Sequence, residues 1–130
     1  NESIDFQGHT GPFIQYTHAR IKSVLSKGGY IDKQDKSRPL TLEATERDII
    51  KEIVKFDDVI ISSAESYSPS LIANYVYELA KLYNKFYHEV AIIKVENSSL
   101  KDFRLSLSAA TARVISRCMN LLGIQVPERM

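Results

Sequence analysis

The side chains best suited to chemistry lie in one short segment, residues 11–21. This segment supplies two aromatic rings, an amide, an imidazole and a guanidinium, on Phe13, Tyr16, Gln15, His18 and Arg20. Aromatic rings can stack on unpaired bases and neighbouring cations can contact phosphates, so the combination is typical of a surface that binds single-stranded nucleic acid. The competing interpretation is an ordinary buried helix, because the apolar members recur at helical spacing.

Two further groups could extend such a surface. Tyr87 lies about 100° around a predicted helix from Phe86, which is expected in the core, so its ring is expected to face outward. Arg113 and Arg117 are four residues apart and therefore share a helix face. The sequence has no acidic residue from 103 to 126, whereas an ordinary solvated face mixes charges. Core packing for the aromatic rings and a solvated face for the two arginines remain the alternatives.

Other kinds of site are disfavoured by spacing. The three histidines are scattered and Cys118 is the only cysteine, so metal-ligand spacing is absent from the sequence. The pair Gly28-Gly29 lacks the spacing of a phosphate-binding loop, and no serine lies in a nucleophile-elbow pattern. We therefore expect no catalytic centre, metal or cofactor within these residues.

Composition indicates one domain with a nearly neutral surface. The chain has 130 residues, 17 basic and 16 acidic, and a net charge of +1. This balance argues against a protein whose whole surface grips nucleic acid, but it allows a local basic patch such as residues 100–130. A single cysteine favours a reducing compartment, and no apolar run is long enough to span a bilayer. The polar start, without an initiator Met, suggests a piece of a longer protein.

Apolar periodicity predicts an all-α bundle of about five helices. The first helix is expected to start at Gly11-Pro12 and end at Gly28-Gly29, with Tyr16 and Ile21 in the core. The predicted boundaries of the other helices are a cap at Thr41 or Thr45, a third helix from Val59 to about Ser66, a fourth from Ser68-Pro69 to Val90 or Val95, and a fifth from about Leu100 to Gly123.

Three segments carry a resemblance to a known family. The sequence GPFIQYTHARI at residues 11–21 resembles the segment that joins the catalytic and C-terminal domains of arginyl-tRNA synthetases. The sequence YELAKLYNKFY at residues 77–87 is similar to a central helix of the same family, and residues 121–130 resemble its C-terminus. The matches follow the family's order and together span nearly the whole chain.

The resemblance implies a DALR-type anticodon-binding domain at residues 11–130, preceded at residues 1–10 by the irregular end of a catalytic domain. Such a domain is a helical bundle that holds the anticodon stem-loop of arginine tRNA. Phe13 stands where the family commonly has a tyrosine that approaches the anticodon loop. The expected RNA-binding residues are Phe13, Gln15, His18, Arg20, Tyr87, Arg113, Arg117, Arg129 and Met130. Among them, Tyr87 and Met130 match positions that hold anticodon bases, whereas Arg20 and Arg129 are expected to contact phosphates.

The same resemblance implies a parent enzyme larger than this chain. The family's ATP-binding signatures and arginine pocket are absent from these residues, so ATP with magnesium would act in a separate catalytic domain of the same chain. We expect a cytoplasmic, monomeric protein that does not contact membranes. The tetrapeptide that names the family has only a loose counterpart in Asp102-Phe103-Arg104-Leu105. The alternative is a helical protein–protein interaction module with residues 75–87 as its docking face, which would require a large exposed apolar patch.

Overall fold

A computed structural model describes residues 10–32 and 41–123, and these residues form α-helices without any strand. Their helices are α1 (Thr10–Gly28), α2 (Ala44–Val54), α3 (Phe56–Ser66), α4 (Pro69–Glu89) and α5 (Ser98–Leu121). Only Lys55 separates α2 from α3, so the described bundle can be counted as four helices with one interruption or as five. The predicted all-α bundle is confirmed.

The start of α2 differs from the prediction. Neither Thr41 nor Thr45 caps this helix; its N-cap is Glu43, which forms a reciprocal capping box with Glu46. The backbone N–H of Glu43 donates to Oε1 of Glu46 at 2.7 Å. A carboxylate three residues into a helix can satisfy a backbone donor that would otherwise lack a partner, and it also interacts favourably with the helix dipole.

The other helix ends follow local stereochemistry. Gly29 has a φ of +68° and Gly123 a φ of +78°, the left-handed conformation that ends helices, so both predicted stops are confirmed. The end of α3 at Ser66 is also confirmed, but this helix begins at Phe56, three residues before the predicted Val59. The backbone becomes extended at Val90, so α4 does not continue to Val95. The fifth helix begins two residues before Leu100, because the Asn97 side chain accepts from the Leu100 N–H at 3.1 Å.

The long helix α4 lies between two layers. Its buried side packs against α2, α3 and α5, whereas α1 packs against α4 and α5 from another direction. Tyr75 donates to the Glu52 carbonyl in α2, and Asn84 donates to Thr17 in α1. These two α4 residues are nine positions apart, and at about 100° per residue they lie on opposite faces of the helix.

The prediction that Tyr16 belongs to the core is wrong, since its side chain is 53% exposed. Ile21 is fully buried, as predicted. Ile14, Thr17 and Val24 complete the buried stripe of α1. Tyr16 lies outside this stripe, at the edge where α1 meets α4.

A buried ion pair joins α2 to α5. Nε of Arg104 lies 2.7 Å from Oε2 of Glu46, and both side chains are almost completely inaccessible to solvent. Arg104 also donates through Nη1 to the Ala91 carbonyl at 2.6 Å. The pair therefore connects the first turn of α2 to α5 and to the α4–α5 connection. Arg104 is the arginine of the loose family tetrapeptide.

Replacing Arg104 by Met should destabilise the fold strongly, because it leaves the Glu46 carboxylate buried without its cation. We expect a loss of roughly 3–5 kcal/mol in the free energy of unfolding, measured by urea denaturation. The matched control is Lys55→Met, which removes a 3.3 Å ion pair between exposed Lys55 and Glu52. That change should cost less than about 1 kcal/mol. Equal losses in the two variants would contradict the structural role of the buried pair.

The core also predicts a loss of stability at alkaline pH. Burial raises the pKa of the Tyr83 hydroxyl from 10.0 to about 12, and burial raises the pKa of the Cys118 thiol from 9.0 to about 12. Between these values the unfolded chain has released protons that the folded chain retains, so the free energy of unfolding falls as pH rises.

Cys118 and Tyr83 should therefore add no pH dependence to the free energy of unfolding below their unfolded-state pKa values, and they should lower it from pH 9.0 towards about pH 12. Denaturant titrations at a series of pH values measure this decline. In Cys118→Ala the onset should move up towards pH 10.0, where Tyr83 begins to contribute. A free energy of unfolding that stays unchanged across this range would contradict the burial of both groups.

Candidate nucleic-acid interface

Side chains from α1 and α4 form a continuous surface where the two helices meet, which we call the α1–α4 seam. It consists of Phe13, Tyr16 and Arg20 on α1 and Tyr77, Lys81, Asn84 and Tyr87 on α4. The spacings of three and four residues place each set on one face of its helix. Aromatic rings and cations therefore alternate along a surface that is open to solvent or partly so.

Arg20 is the centre of the seam. Its guanidinium carbon lies 4.3 Å from the centroid of the Tyr87 ring and 5.4 Å from that of Tyr16. Both rings are within the range of cation–π attraction, which holds the three side chains together. The Tyr87 side chain is 37% exposed, which agrees with the prediction that its ring faces outward. The His88 ring packs edge-on against Tyr87 at 5.4 Å.

Asn84 connects this cluster to the interior. Its Oδ1 accepts a hydrogen bond from Nη1 of Arg20, and its Nδ2 donates to Oγ1 of Thr17 at 2.8 Å and to the Ala80 carbonyl at 2.9 Å. The buried Thr17 hydroxyl in turn donates to the Phe13 carbonyl at 2.9 Å. The guanidinium of Arg20 is therefore placed by its hydrogen bond to Asn84 of α4 as well as by the two rings.

Phe13 and Tyr77 form the other end of the seam. Their ring centroids are 5.8 Å apart with an interplanar angle of 69°, an edge-to-face arrangement. Nζ of Lys81 lies 4.6 Å from the Tyr77 centroid and 3.0 Å from a Glu78 carboxylate oxygen. Phe13 is partly buried by these contacts, so only part of its ring is accessible for stacking.

His18 and Arg113 lie away from the seam. They line a cavity of about 460 Å³ between α1 and α5, which Lys22 and Tyr30 also line. His18, which was expected to bind RNA, is buried and only 4% exposed. Helix α5 covers the side of α1 that carries His18, a contact that the sequence of α1 does not specify. Gln15, three residues earlier, is partly buried.

Arg117 does not share a site with Arg113. It lines a second groove, of about 600 Å³, with apolar residues of α3 and with Asp57. The absence of acidic residues from 103 to 126 therefore does not give a purely basic face, because α3 brings the Asp57 carboxylate to the groove. The predicted contacts Arg129 and Met130 lie outside the described residues, as do residues 1–9.

The described residues contain no group of three histidine, cysteine, aspartate or glutamate side chains placed to hold a metal ion. Within the same part of the chain, no helix has the length and apolar character needed to cross a membrane.

Comparison with known proteins identifies the family. The family model described as DALR anticodon binding domain matches residues 14–130. The chain belongs to this DALR family. The arginine–tRNA ligase of Phocaeicola vulgatus is 49% identical over 132 residues, and that of Flavobacterium psychrophilum is 47% identical over 129 residues. Both alignments cover 99% of this chain, but only 22% and 21% of the respective ligases.

A solved structure supports the same assignment for the fold. The arginyl-tRNA synthetase of Thermus thermophilus superimposes with a TM-score of 0.82 and is 30% identical, over 97% of this chain and 22% of that one. This DALR domain therefore spans about a fifth of the length of the relatives that it matches.

Four seam residues of the DALR domain are absent from the predicted site: Tyr16, which was expected in the core, and Tyr77, Lys81 and Asn84. A signal was present for three of them, because Tyr16 precedes Arg20 by four residues and Tyr77 precedes Lys81 by four. Pairs of a ring and a cation at this spacing face each other on a helix. Asn84 carried no comparable signal, since its partners on α1 are more than 60 residues away in the sequence.

Proposed function

We propose that this DALR domain binds the anticodon stem-loop of arginine tRNA through the α1–α4 seam. The observation that carries the proposal is the cluster of Tyr16, Arg20 and Tyr87, in which a fixed cation contacts two exposed rings. Proteins read RNA sequence mainly in loops, where splayed bases stack on aromatic rings or on arginine. Membership of the anticodon binding domain family supports the same partner.

The seam offers distinct roles to its members. Tyr87 and Tyr16 provide the most accessible rings, so we propose that they stack on unpaired bases. Arg20 adds positive charge beside those rings and is proposed to contact phosphates or base edges, whereas the ammonium of Lys81 is paired with the Glu78 carboxylate. Phe13 contributes a partly covered ring at the other end of the seam. The remaining predicted contacts stay predictions; they are Gln15, His18, Arg113, Arg117, Arg129 and Met130.

The distribution of charge favours this orientation. Residues 43–66, which include α2 and α3 on the side of α4 opposite the seam, contain seven acidic and three basic residues. RNA carries a negative charge at each phosphate, so it is repelled by the α2–α3 side and attracted to the seam. A chain with a net charge of only +1 can therefore still direct RNA to one face.

The domain is proposed to serve a longer enzyme. Because its relatives are about five times longer, we propose that residues 1–10 follow a catalytic domain and that residues 11–130 position arginine tRNA for ATP-dependent aminoacylation there. ATP with magnesium would bind to that catalytic domain. We further propose that the protein is cytoplasmic and monomeric.

A protein–protein contact is the second candidate function, but on a different surface from the predicted one. Residues 75–87 do not form a free docking face, because Tyr75, Tyr83 and Phe86 are buried in the core. The observation that favours a protein contact is instead the groove between α3 and α5, where Ile61 and Leu121 are exposed. Such a contact would not depend on the seam.

Replacing Tyr87 or Tyr16 by Ala should weaken binding of an arginine anticodon stem-loop without unfolding the bundle. A lost stacking contact is worth about 1–3 kcal/mol, which is roughly a 5- to 150-fold weaker affinity. Deletion of Met130 should also weaken binding. Filter binding measures the affinities, and circular dichroism verifies the fold.

The matched control is Tyr67→Ala. This ring is 93% exposed but lies at the opposite end of α4, about 30 Å along the helix axis from Tyr87, so its loss should leave the affinity unchanged. A stem-loop with a changed middle anticodon base, titrated at two salt concentrations, separates specific from non-specific binding. Unchanged affinity in both the Tyr87 and Tyr16 variants would rule out the seam as the RNA-binding face, and unchanged affinity after deletion of Met130 would contradict the contact predicted for that residue.

A further inference from the structure

We propose that Asn84 is a positioning residue that holds Arg20 in its RNA-binding geometry, and that this position requires an amide instead of a carboxylate. The inference rests on the proposed function and assigns a role to a residue that contacts no RNA itself. Its basis is the hydrogen-bond network that Asn84 makes with Arg20, Thr17 and Ala80.

The chemistry of its partners fixes the orientation of the Asn84 amide. A guanidinium can only donate hydrogen bonds, so the atom that faces Arg20 must be the oxygen. A backbone carbonyl can only accept, so the atom that faces the Ala80 carbonyl must be the nitrogen. The Thr17 hydroxyl donates its proton to the Phe13 carbonyl. Its oxygen can therefore only accept from Asn84, and it accepts from Nδ2. Each N–H of the Asn84 amide thus has one acceptor. A flipped amide would lose the hydrogen bonds to Arg20, Thr17 and Ala80.

This network orders Arg20 before RNA arrives. An arginine side chain has many rotamers, and fixing them during binding would lower the affinity. Here Thr17 of α1 and Ala80 of α4 hold the Asn84 amide by hydrogen bonds. Asn84 in turn accepts a hydrogen bond from the Arg20 guanidinium, which also lies against the rings of Tyr16 and Tyr87. The entropic cost of ordering Arg20 is therefore met by folding of the domain instead of by RNA binding.

An amide also preserves the charge of Arg20. Among the residues that the structure describes, the contacts of Arg20 are with Asn84, Tyr16 and Tyr87, all of which are uncharged. An aspartate at position 84 would form a stronger, charge-assisted contact with the guanidinium but would neutralise it. It would also place a carboxylate oxygen against the Ala80 carbonyl, where the amide nitrogen now donates. A stronger contact between residue 84 and Arg20 would thus weaken the attraction of Arg20 to RNA.

The first experiment measures Arg20 without RNA. In the ¹⁵N-labelled chain, NMR reports how fast the guanidinium rotates about its Nε–Cζ bond. Rotation should be slow in the wild type and fast in Asn84→Ala, with the helical circular dichroism signal unchanged. Equal rotation in the two proteins would overturn the positioning role. This result does not depend on whether the domain binds RNA.

The second experiment measures the salt dependence of binding to the arginine anticodon stem-loop. Each phosphate contact to a single strand contributes about 0.7 to the slope of log affinity against log salt concentration. Arg20→Gln and Asn84→Asp should each lower the slope by about that amount, since both remove the charge. Asn84→Ala should keep the slope but weaken binding roughly 2- to 10-fold.

An unchanged slope in Asn84→Asp would overturn the requirement for an amide, because a merely structural asparagine would not alter the number of phosphate contacts. Absence of RNA binding by the wild-type chain would instead overturn the proposed function, while the rotation measurement still decides whether Asn84 holds Arg20. The melting temperature of each variant verifies that the rotation rates and the RNA affinities are measured on folded protein.

Discussion

The buried ion pair between Glu46 and Arg104 is the constraint on which the arrangement of the bundle depends. Two charges removed from water are tolerated only when they are paired and hydrogen bonded, so this contact permits few alternative packings. Glu46 also closes the capping box of α2, and Arg104 also binds the Ala91 carbonyl in the α4–α5 connection. One contact therefore links the start of α2, the packing of α5 and the α4–α5 connection.

The location of the seam follows from that arrangement. With α2 and α3 fixed on one side of α4, the opposite side of α4 is left for α1, and the line where α1 meets α4 stays open to solvent. The rings of Tyr16 and Tyr87 are exposed along this line. They would be buried if a further helix covered the contact between α1 and α4. Asn84 binds Thr17 of α1 and also accepts a hydrogen bond from Arg20, so the contact between the two helices holds the Arg20 side chain in place.

Local features of the sequence predicted most of the fold. Glycines at positions that need a positive φ, Pro69 at a helix start and apolar periodicity are all set by neighbouring residues, and the helices that they predict are present. Apart from helix boundaries such as the cap of α2, the errors concern contacts between distant segments. Tyr16 is exposed, His18 is buried against α5, and Asp57 from α3 lies beside Arg117. The outward position of Tyr87 was predictable from its helix, but its contact with Arg20 depends on how α1 packs, which periodicity does not encode.

Chemical-shift mapping tests most directly whether RNA lies on the α1–α4 seam. The isotope-labelled chain would be titrated with the arginine anticodon stem-loop, and shifts of backbone amides and tyrosine rings would be recorded. The largest shifts should occur at Tyr16, Arg20 and Tyr87, with little change along α2 and α3. Shifts concentrated on α2 and α3, or in the groove between α3 and α5, would show that the seam is not the surface that binds RNA.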